Sequence, residues 1–218
     1  MEDDRKQLEY SYVKTNDGSL SVHMKRYNQD MHSISGAYSE AMYKHVIPSD
    51  ILKCQKEQVN ILDVGFGLGY NILALMESCL NHKGFKHIHV VSLENDTGVL
   101  DLTRGVKFDD RRDDLYRKII HAALNGEYSD NTFSIQVKFG DARQTLASYD
   151  EPLFDAVFHD PFSPAKNPEL WTVEFFKRLY RVVNPKAIIT TYSSALQVRR
   201  AMLEAGFTVG RGPSVGGK

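Results

Sequence analysis

The chain has 218 residues, of which 42% are hydrophobic, and its formal net charge at pH 7 is −1. This length and hydrophobic fraction suit one large domain, or one domain with a small appendage. The charge balance excludes a strongly basic nucleic-acid-binding domain, so any contact with RNA has to come from a local patch.

The cysteines and the apolar runs indicate the compartment. Cys54 and Cys79 form no C-x-x-C pair, which argues against a zinc site or a disulfide framework and suits a reducing cytosol. The start of the chain is charged and lacks the apolar stretch of a signal peptide, and no later run approaches about 18 apolar residues. We therefore expect a cytoplasmic protein with no membrane partner.

An N-terminal extension over residues 1–50 is predicted ahead of a main domain over residues 51–218. Alternating strand formers on both sides of Asn16-Asp17-Gly18 predict a β-hairpin, which we expect to pack as a flap or lid. Residues 37–45 have helical propensity.

Three polar residues of this extension, His32, Ser33 and Glu40, come shortly before the first strand of the main domain. They either contribute to a site or belong to a solvated loop and helix face, and the sequence favours neither interpretation.

A glycine-rich stretch opens the main domain. A strand over about 60–64 is followed by Gly65, Gly67 and Gly69 and then by a helix from Tyr70 to about Leu80. A buried strand, a glycine turn and a helix bring backbone N–H groups close to a nucleotide in doubly wound α/β sheets. The spacing G-x-G-x-G, with Asp63 at the strand end, departs from the G-x-G-x-x-G pattern of NAD sites. It resembles the first motif of class I S-adenosylmethionine-dependent methyltransferases, which implies that Phe66 and Asn71 also lie at the cofactor.

Two further strands end in acidic residues. The strand 89–94 ends in Glu94, whose carboxylate suits the two ribose hydroxyls of an adenosine. The strand 133–139 is followed by Asp141 and Ala142, and Asp141 is placed to accept a hydrogen bond from the adenine amine. A glutamate that ends a strand is more often simply solvated, so these assignments depend on one another.

A mixed-charge segment, residues 104–132, separates those two strands. It contains Lys107, Asp109, Asp110 and Arg111 and continues into an amphipathic stretch over 115–124. We interpret it as an inserted helical segment with a solvated charged face, and its basic residues as weaker candidates for RNA contacts.

The stretch 154–171 carries the candidate chemistry. An apolar strand, 154–158, delivers His159 and Asp160 to the carboxyl edge of the sheet, and three prolines stiffen the loop that follows. Beyond it, the sequence predicts strand five over 187–192, a helix over 194–205 and the start of strand six at Phe207.

Three motifs together resemble the MnmC-type methyltransferases, including the stand-alone DUF752 proteins. They are the glycine loop 63–71, the proline-rich loop 160–172, and the stretch 192–200 with Ala205-Gly206-Phe207. The resemblance covers nearly the whole chain and implies a class I methyltransferase fold, a doubly wound α/β sheet. Compared with the family, His159-Asp160-Pro161 stands where Leu-Asp-Gly is common, and the sequence ends at Gly216-Gly217-Lys218, so the final edge strand is expected to be missing.

By the same resemblance, the cofactor is S-adenosylmethionine, and neither a metal nor FAD takes part. The substrate is the 5-aminomethyl group of a wobble (2-thio)uridine in tRNA, which becomes 5-methylaminomethyl. Asp160 is the expected catalytic base, with His159 as its neighbour. Phe162 and Tyr192, or Trp171, are expected to stack on the uridine, and Lys166, Arg199 and Arg200 to meet phosphates.

Two alternatives stay open. A polyamine aminopropyltransferase shares the sheet and also attacks a sulfonium with an amine, although its usual G-G-G-[DE]-G motif is absent. The second alternative is a non-catalytic cofactor-binding or RNA-binding module. The acidic residues at the ends of three strands argue against it. The sequence leaves the oligomeric state open.

Overall fold

The structure, a computed structural model, describes residues 9–80, 82, 84–108 and 111–212. Its N-terminal unit contains three short antiparallel strands, β1 (Tyr10–Lys14), β2 (Leu20–Met24) and β3 (Gln29–Asp30). The hairpin predicted around Asn16-Asp17-Gly18 is present as β1 and β2. After β3, helix α1 (Ala37–Glu40) runs into a π-helical turn, Ala41–Val46, and a 3₁₀ turn, Ile51–Lys53.

The main sheet has six strands in the order β6-β7-β5-β4-β8-β9. They are β4 (Gln58–Val64), β5 (His87–Glu94), β6 (Glu127–Ser129), β7 (Phe133–Phe139), β8 (Phe154–His159) and β9 (Val183–Thr191). All pairings are parallel except that of β6 with β7. The helices are α2 (Tyr70–Leu80), α3 (Val99–Thr103), α4 (Arg112–Asn125), α5 (Ala142–Leu146), α6 (Val173–Val182) and α7 (Leu196–Glu204). This central parallel sheet flanked by helices confirms the predicted doubly wound α/β sheet.

Each face of the sheet is covered by its own hydrophobic core, because successive residues of a strand point to opposite faces. Ile61 of β4 packs on the face that carries α2, α4 and the N-terminal unit, whereas Leu62 packs on the face that carries α6 and α7. Val22 and Val46 belong to the first core. The described part of residues 1–50 therefore lies against the sheet and shares its core.

The charged segment predicted as an insert forms α4 and β6 in its described part. The buried face of α4 consists of Leu115, Tyr116, Ile119, Ala122 and Ala123. Arg111 pairs with Glu77, and Arg117 pairs with Asp113, which fits the solvated charged face. Asp109 and Asp110 lie outside the described residues.

The prediction of a sixth strand at Phe207 is wrong. Residues 207–210 form no strand. The Phe207 ring instead packs edge-on against Tyr180 of α6, with ring centroids 5.0 Å apart. Within the described residues β9 pairs with β8 and with no other strand. Gly216-Gly217-Lys218 lie outside the described residues, so the missing edge strand stays a prediction.

Among the helices that the structure describes, none is both long and apolar enough to cross a bilayer.

Candidate active site

The strand order reverses at β4, which has β5 on one side and β8 on the other. In open α/β sheets, ligands bind in the crevice at the carboxyl ends of the strands where the order reverses. A cavity of about 670 Å³ lies there, lined by residues that follow β4, β5, β7 and β8 and by the β2–β3 part of the N-terminal unit. Its volume is in the range of small-molecule sites.

The glycine turn after β4 approaches the turn after β8 closely. Gly65 has φ +101°, and a Cβ built on it would lie 2.7 Å from the backbone oxygen of Asp160. The N–H of Asp160 donates to the Val64 carbonyl at 2.9 Å. Only a residue without a side chain fits between these two backbones. Gly65 therefore allows the turn that carries Asp160 to pack directly against the glycine turn.

Glu94 at the end of β5 holds the loops around it. Its Oε2 accepts from the Gly67 N–H at 3.1 Å, and its Oε1 accepts from the N–H groups of Asn95 and Asp96 at 2.8 and 2.9 Å. Burial raises the pKa of Glu94, and these backbone donors oppose the rise. A carboxylate has about four lone-pair sites. Three are used here, which leaves about one for a ligand.

Asp141 caps helix α5. Its carboxylate accepts from the Arg143 N–H at 2.8 Å and from the Arg143 guanidinium, which lowers the pKa of the carboxyl. With the Nε–H and one terminal N–H of the guanidinium, three donors use about three of the four lone-pair sites, which leaves about one for a ligand amine. Movement of the Arg143 side chain would free more.

Asp160 lies at the floor of the cavity, with its side chain 19% exposed. Asn71 donates one amide hydrogen to Asp160 Oδ2 at 3.1 Å and the other to Asp63 Oδ1 at 3.2 Å. Ser92 donates to the second oxygen of Asp63 at 2.6 Å. Burial raises the pKa of Asp63 to about 7, against the effect of the Ser92 and Asn71 hydrogen bonds. Asp63 thus lies behind the cavity and fixes Asn71.

His45, at the end of the π-helical turn, is the nearest imidazole to Asp160, and the sequence analysis did not single it out. The ring is fully buried, and its Nε2 is 3.5 Å from Asp160 Oδ1. Burial raises the pKa of Asp160, but the interactions with His45, His32 and Asn71 together outweigh burial, and the net shift is downward. His32 is also near, and burial lowers its pKa to about 4.

His159 is not the neighbour of the Asp160 carboxylate that was expected. Because side chains alternate along a strand, His159 points to the opposite face of the sheet. Its ring packs among Trp171, Phe175 and Phe176, with centroid distances of 4.6, 5.5 and 5.3 Å. Among the described residues, neither ring nitrogen has a hydrogen-bond partner. This environment excludes a proton exchange between the two side chains.

The burial of His159 predicts a pH-dependent stability. Desolvation lowers its pKa from 6.5 to about 3. Between these values the unfolded chain binds a proton that the folded protein does not, so the free energy of unfolding falls as the pH drops from 6.5. His159→Phe should remove this pH dependence. We expect the difference in unfolding free energy between the variant and the wild type to change by about 3 kcal/mol in favour of the variant as the pH falls from 7 to 4. Urea unfolding at several pH values measures it, and parallel curves for the two proteins would contradict it.

An aromatic pair closes one side of the cavity. Phe162 stacks on Tyr27 of the N-terminal unit, with ring centroids 4.3 Å apart and planes at 26°. Ser163 donates to Gln29 Oε1 at 2.8 Å across the same junction. The N-terminal unit therefore covers the cavity at the proline-rich loop.

Trp171 is a core residue. It is 5% exposed, and its Nε1–H donates to the Phe162 carbonyl at 2.9 Å. It thereby supports the loop that carries Phe162. Tyr192 lines the cavity, and its hydroxyl donates to the Pro161 carbonyl at 2.9 Å.

Most of the expected site residues line this one cavity. They are Gly65, Phe66, Gly67, Asn71, Glu94, Asp141, Ala142, Asp160, Phe162, Lys166 and Tyr192. Asp63 and Gly69 lie behind it, and Arg199 and Arg200 are exposed on α7 away from it. His32, Ser33 and Glu40 also line the cavity. Within the described residues, no group of three His, Cys, Asp or Glu side chains is arranged to hold a metal ion.

The fold and this cavity define a class of protein. Residues 107–218, about half of the chain, match the family described as S-adenosyl-L-methionine-dependent methyltransferase, and the chain belongs to that family. The crystal structure of MnmC2 from Aquifex aeolicus is similar over 96% of this chain and 68% of that one, with a TM-score of 0.86 and 33% identity. The resemblance to the MnmC-type methyltransferases is thereby confirmed.

Two curated relatives extend the comparison. An uncharacterized protein of Methanocaldococcus jannaschii is 31% identical over 212 residues, 96% of this chain and 58% of the relative. The tRNA 5-methylaminomethyl-2-thiouridine biosynthesis bifunctional protein MnmC of Pseudomonas fluorescens is 34% identical over 166 residues, 72% of this chain and 25% of the relative. The chain thus spans only part of the length of both proteins.

Proposed function

We propose that this protein methylates the 5-aminomethyl group of a wobble (2-thio)uridine in tRNA, giving 5-methylaminomethyl, in the cytoplasm. The observation that carries the proposal is the position of Asp160, a carboxylate that reaches the cavity floor directly beside the glycine turn. The role named for the bifunctional protein MnmC, tRNA 5-methylaminomethyl-2-thiouridine biosynthesis, supports the choice of substrate. Neither FAD nor a metal takes part in the proposed reaction.

The residues present fit S-adenosylmethionine. Gly65 leaves a cradle that a Cβ would fill, and Glu94 keeps acceptor capacity beside Gly67. We assign these three residues, with Phe66, Asn71 and Ala142, to cofactor binding, and Asp63 and Gly69 to supporting them. We assign Asp141 to the same role, with more acceptor capacity when the Arg143 side chain moves away. When bound, the cofactor supplies a methyl group on a positively charged sulfur.

The chain's own residues would prepare the amine. A primary ammonium has no lone pair, and a lysine-like ammonium keeps its proton up to a pH of about 10. Asp160 attracts this cation and accepts its proton, while Asn71 holds the carboxylate in place. The N-terminal unit and Phe162 cover one side of the cavity, which would limit the access of water to the reacting groups.

The nucleotide would enter at the aromatic side of the cavity. Phe162, Tyr27 and Tyr192 offer faces on which a splayed-out uridine stacks, and the exposed Lys166 and Arg26 stand at the rim to meet phosphates. Arg199 and Arg200 on α7 remain candidates for more distant phosphates of the same tRNA. The proposal predicts that Tyr27 separates from Phe162 when the base enters.

Binding of the cofactor can be tested apart from the reaction. S-adenosylmethionine is expected to bind and NAD is not. Glu94→Ala removes the ribose acceptor and leaves three backbone N–H groups unpaired, so affinity should fall by about 1.5–3 kcal/mol. Calorimetry measures it, with Glu57→Ala, an exposed glutamate paired with Lys86, as the control. Unchanged affinity in Glu94→Ala would remove Glu94 from the site.

The reaction itself is tested with radiolabelled S-adenosylmethionine. Methyl transfer is expected to tRNA that carries the 5-aminomethyl group and not to tRNA that lacks it. The aminopropyltransferase alternative predicts instead that decarboxylated cofactor and a polyamine are consumed. The non-catalytic alternative predicts cofactor binding with no turnover on any acceptor.

A further inference from the structure

Asp160 is the outer member of a buried chain of polar groups. Its Oδ1 faces Nε2 of His45 at 3.5 Å, and Nδ1 of His45 lies 3.0 Å from the Thr190 hydroxyl. That hydroxyl is in turn 3.3 Å from the Val157 carbonyl. Strand β9 supplies Thr190, strand β8 supplies Val157, and the N-terminal unit supplies His45. The reaction proposed above assigns no role to His45 or Thr190.

The hydrogen-bond geometry at Thr190 favours one tautomer of the imidazole. The Thr190 hydroxyl has one hydrogen, and the Val157 carbonyl beside it can only accept. We assign that hydrogen to Val157, so that Thr190 accepts from Nδ1 of His45. In the neutral ring Nε2 then has a lone pair, and this buried nitrogen has no hydrogen-bond partner in the described part of the protein. Two acceptors, Nε2 and the Asp160 carboxylate, face each other across 3.5 Å.

We propose that Asp160 and His45 act as one proton acceptor for the substrate ammonium. This inference rests on the proposed amine substrate. An N–H bond of the ammonium breaks, its electron pair stays on nitrogen as the lone pair that attacks, and the proton passes to Asp160 and is shared with the lone pair of Nε2. Solvent receives the proton when the product leaves. His45 acts through Asp160 as a positioning residue. Thr190 holds the hydrogen of His45 on Nδ1, so that Nε2 of His45 can accept the proton.

The pair suits the task better than the carboxylate alone. The ordinary pKa of a carboxylic acid is about six units below that of an alkylammonium, so proton transfer to a carboxylate alone is unfavourable. The ordinary pKa of an imidazole is closer to that of the ammonium by more than about two units. The other titratable groups around the pair are His32, Glu40, Asp63, His159 and Tyr192. Of these, His32 and His159 stay neutral at pH 7 because burial lowers the pKa of each, to about 4 and about 3.

The first test needs no substrate. Nitrogen NMR of ¹⁵N-histidine-labelled protein, with the His45 signals assigned by their loss in His45→Gln, reports which ring nitrogen carries hydrogen. Between about pH 8 and 9 we expect Nδ1 protonated and Nε2 free. Thr190→Val should abolish this preference and Thr190→Ser should keep it. A ring protonated at Nε2 in the wild type overturns the proposal.

The second test is the pH profile of methyl transfer in single-turnover experiments. His45→Gln should lower the rate at neutral pH by about 10²-fold and regain much of it at high pH, with unchanged cofactor binding. Thr190→Val should shift the profile the same way, and Thr190→Ser should restore it. His89→Gln is the control, because His89 makes a similar bond to a hydroxyl, that of Ser134, outside the site.

The outcomes separate the two proposals. A wild type that methylates tRNA while His45→Gln and Thr190→Val keep its rate and pH profile overturns the shared acceptor alone. A wild type that methylates no tRNA overturns the proposed function, and the NMR result then decides the proton arrangement by itself.

Discussion

Asp160→Asn is expected to bind S-adenosylmethionine as the wild-type protein does and to lose most of its turnover. The amide keeps the shape of the carboxylate. Its oxygen can still accept from Asn71, and its NH₂ group can donate to the free Nε2 of His45. The anion that accepts the substrate proton is gone, which corresponds to a loss of about 10²–10⁴-fold. Initial rates on tRNA that bears the 5-aminomethyl group, together with calorimetry for the cofactor, measure both halves.

The pH dependence and a second variant make this result specific. Because the substrate amine is mostly protonated near neutrality, raising the pH should restore part of the activity of Asp160→Asn. Asp155→Asn is the control, since Asp155 lies at the other end of the same strand, β8, where it pairs with Lys56. It should change stability only. Wild-type turnover of Asp160→Asn near neutrality would rule Asp160 out as the base.

The sequence predicts the sheet well because its parallel strands are buried on both faces. Strands of this kind appear as short apolar runs, and the run 133–139 is found as β7 with the predicted bounds. β6 escapes this rule because Glu127-Tyr128-Ser129 is an edge strand of three residues with one apolar side chain. Phe207 fails for the opposite reason. Its neighbours look like a strand, but no strand pairs with them, and the ring is used in packing on α6.

Some residues of the candidate site can be predicted from the sequence and others cannot. Groups that follow the strands directly, such as Gly65, Glu94 and Asp160, are predictable because parallel strands present their carboxyl ends at one edge. His45 and Tyr27 are not, because tertiary packing of the N-terminal unit brings Tyr27 to the cavity and His45 to Asp160, and this packing has no local sequence pattern. His159 shows the limit of adjacency, since neighbours along a strand point to opposite faces.

Gly65→Ala is expected to be among the most damaging single-methyl substitutions in the described part of the chain. At φ +101° an L-residue is strained, and the added Cβ would lie 2.7 Å from the oxygen and 3.1 Å from the carbon of the Asp160 carbonyl. Both are backbone atoms that a rotamer change cannot move. We expect unfolding free energy to fall by about 2–4 kcal/mol and cofactor affinity to fall at least about tenfold, because relief of the clash displaces the turn that carries Asp160.

Gly126→Ala separates strain from contact. Gly126 ends α4 at φ +89°, and no atom of the described residues lies within 4 Å of its built Cβ, so this variant carries the backbone strain without the clash. It should lose about 1–2 kcal/mol of stability and bind the cofactor normally. Urea unfolding and calorimetry on both variants give the comparison. If Gly65→Ala loses no more stability than Gly126→Ala and binds S-adenosylmethionine normally, the two turns are not locked together, and the closeness of Asp160 to the cofactor must have another cause.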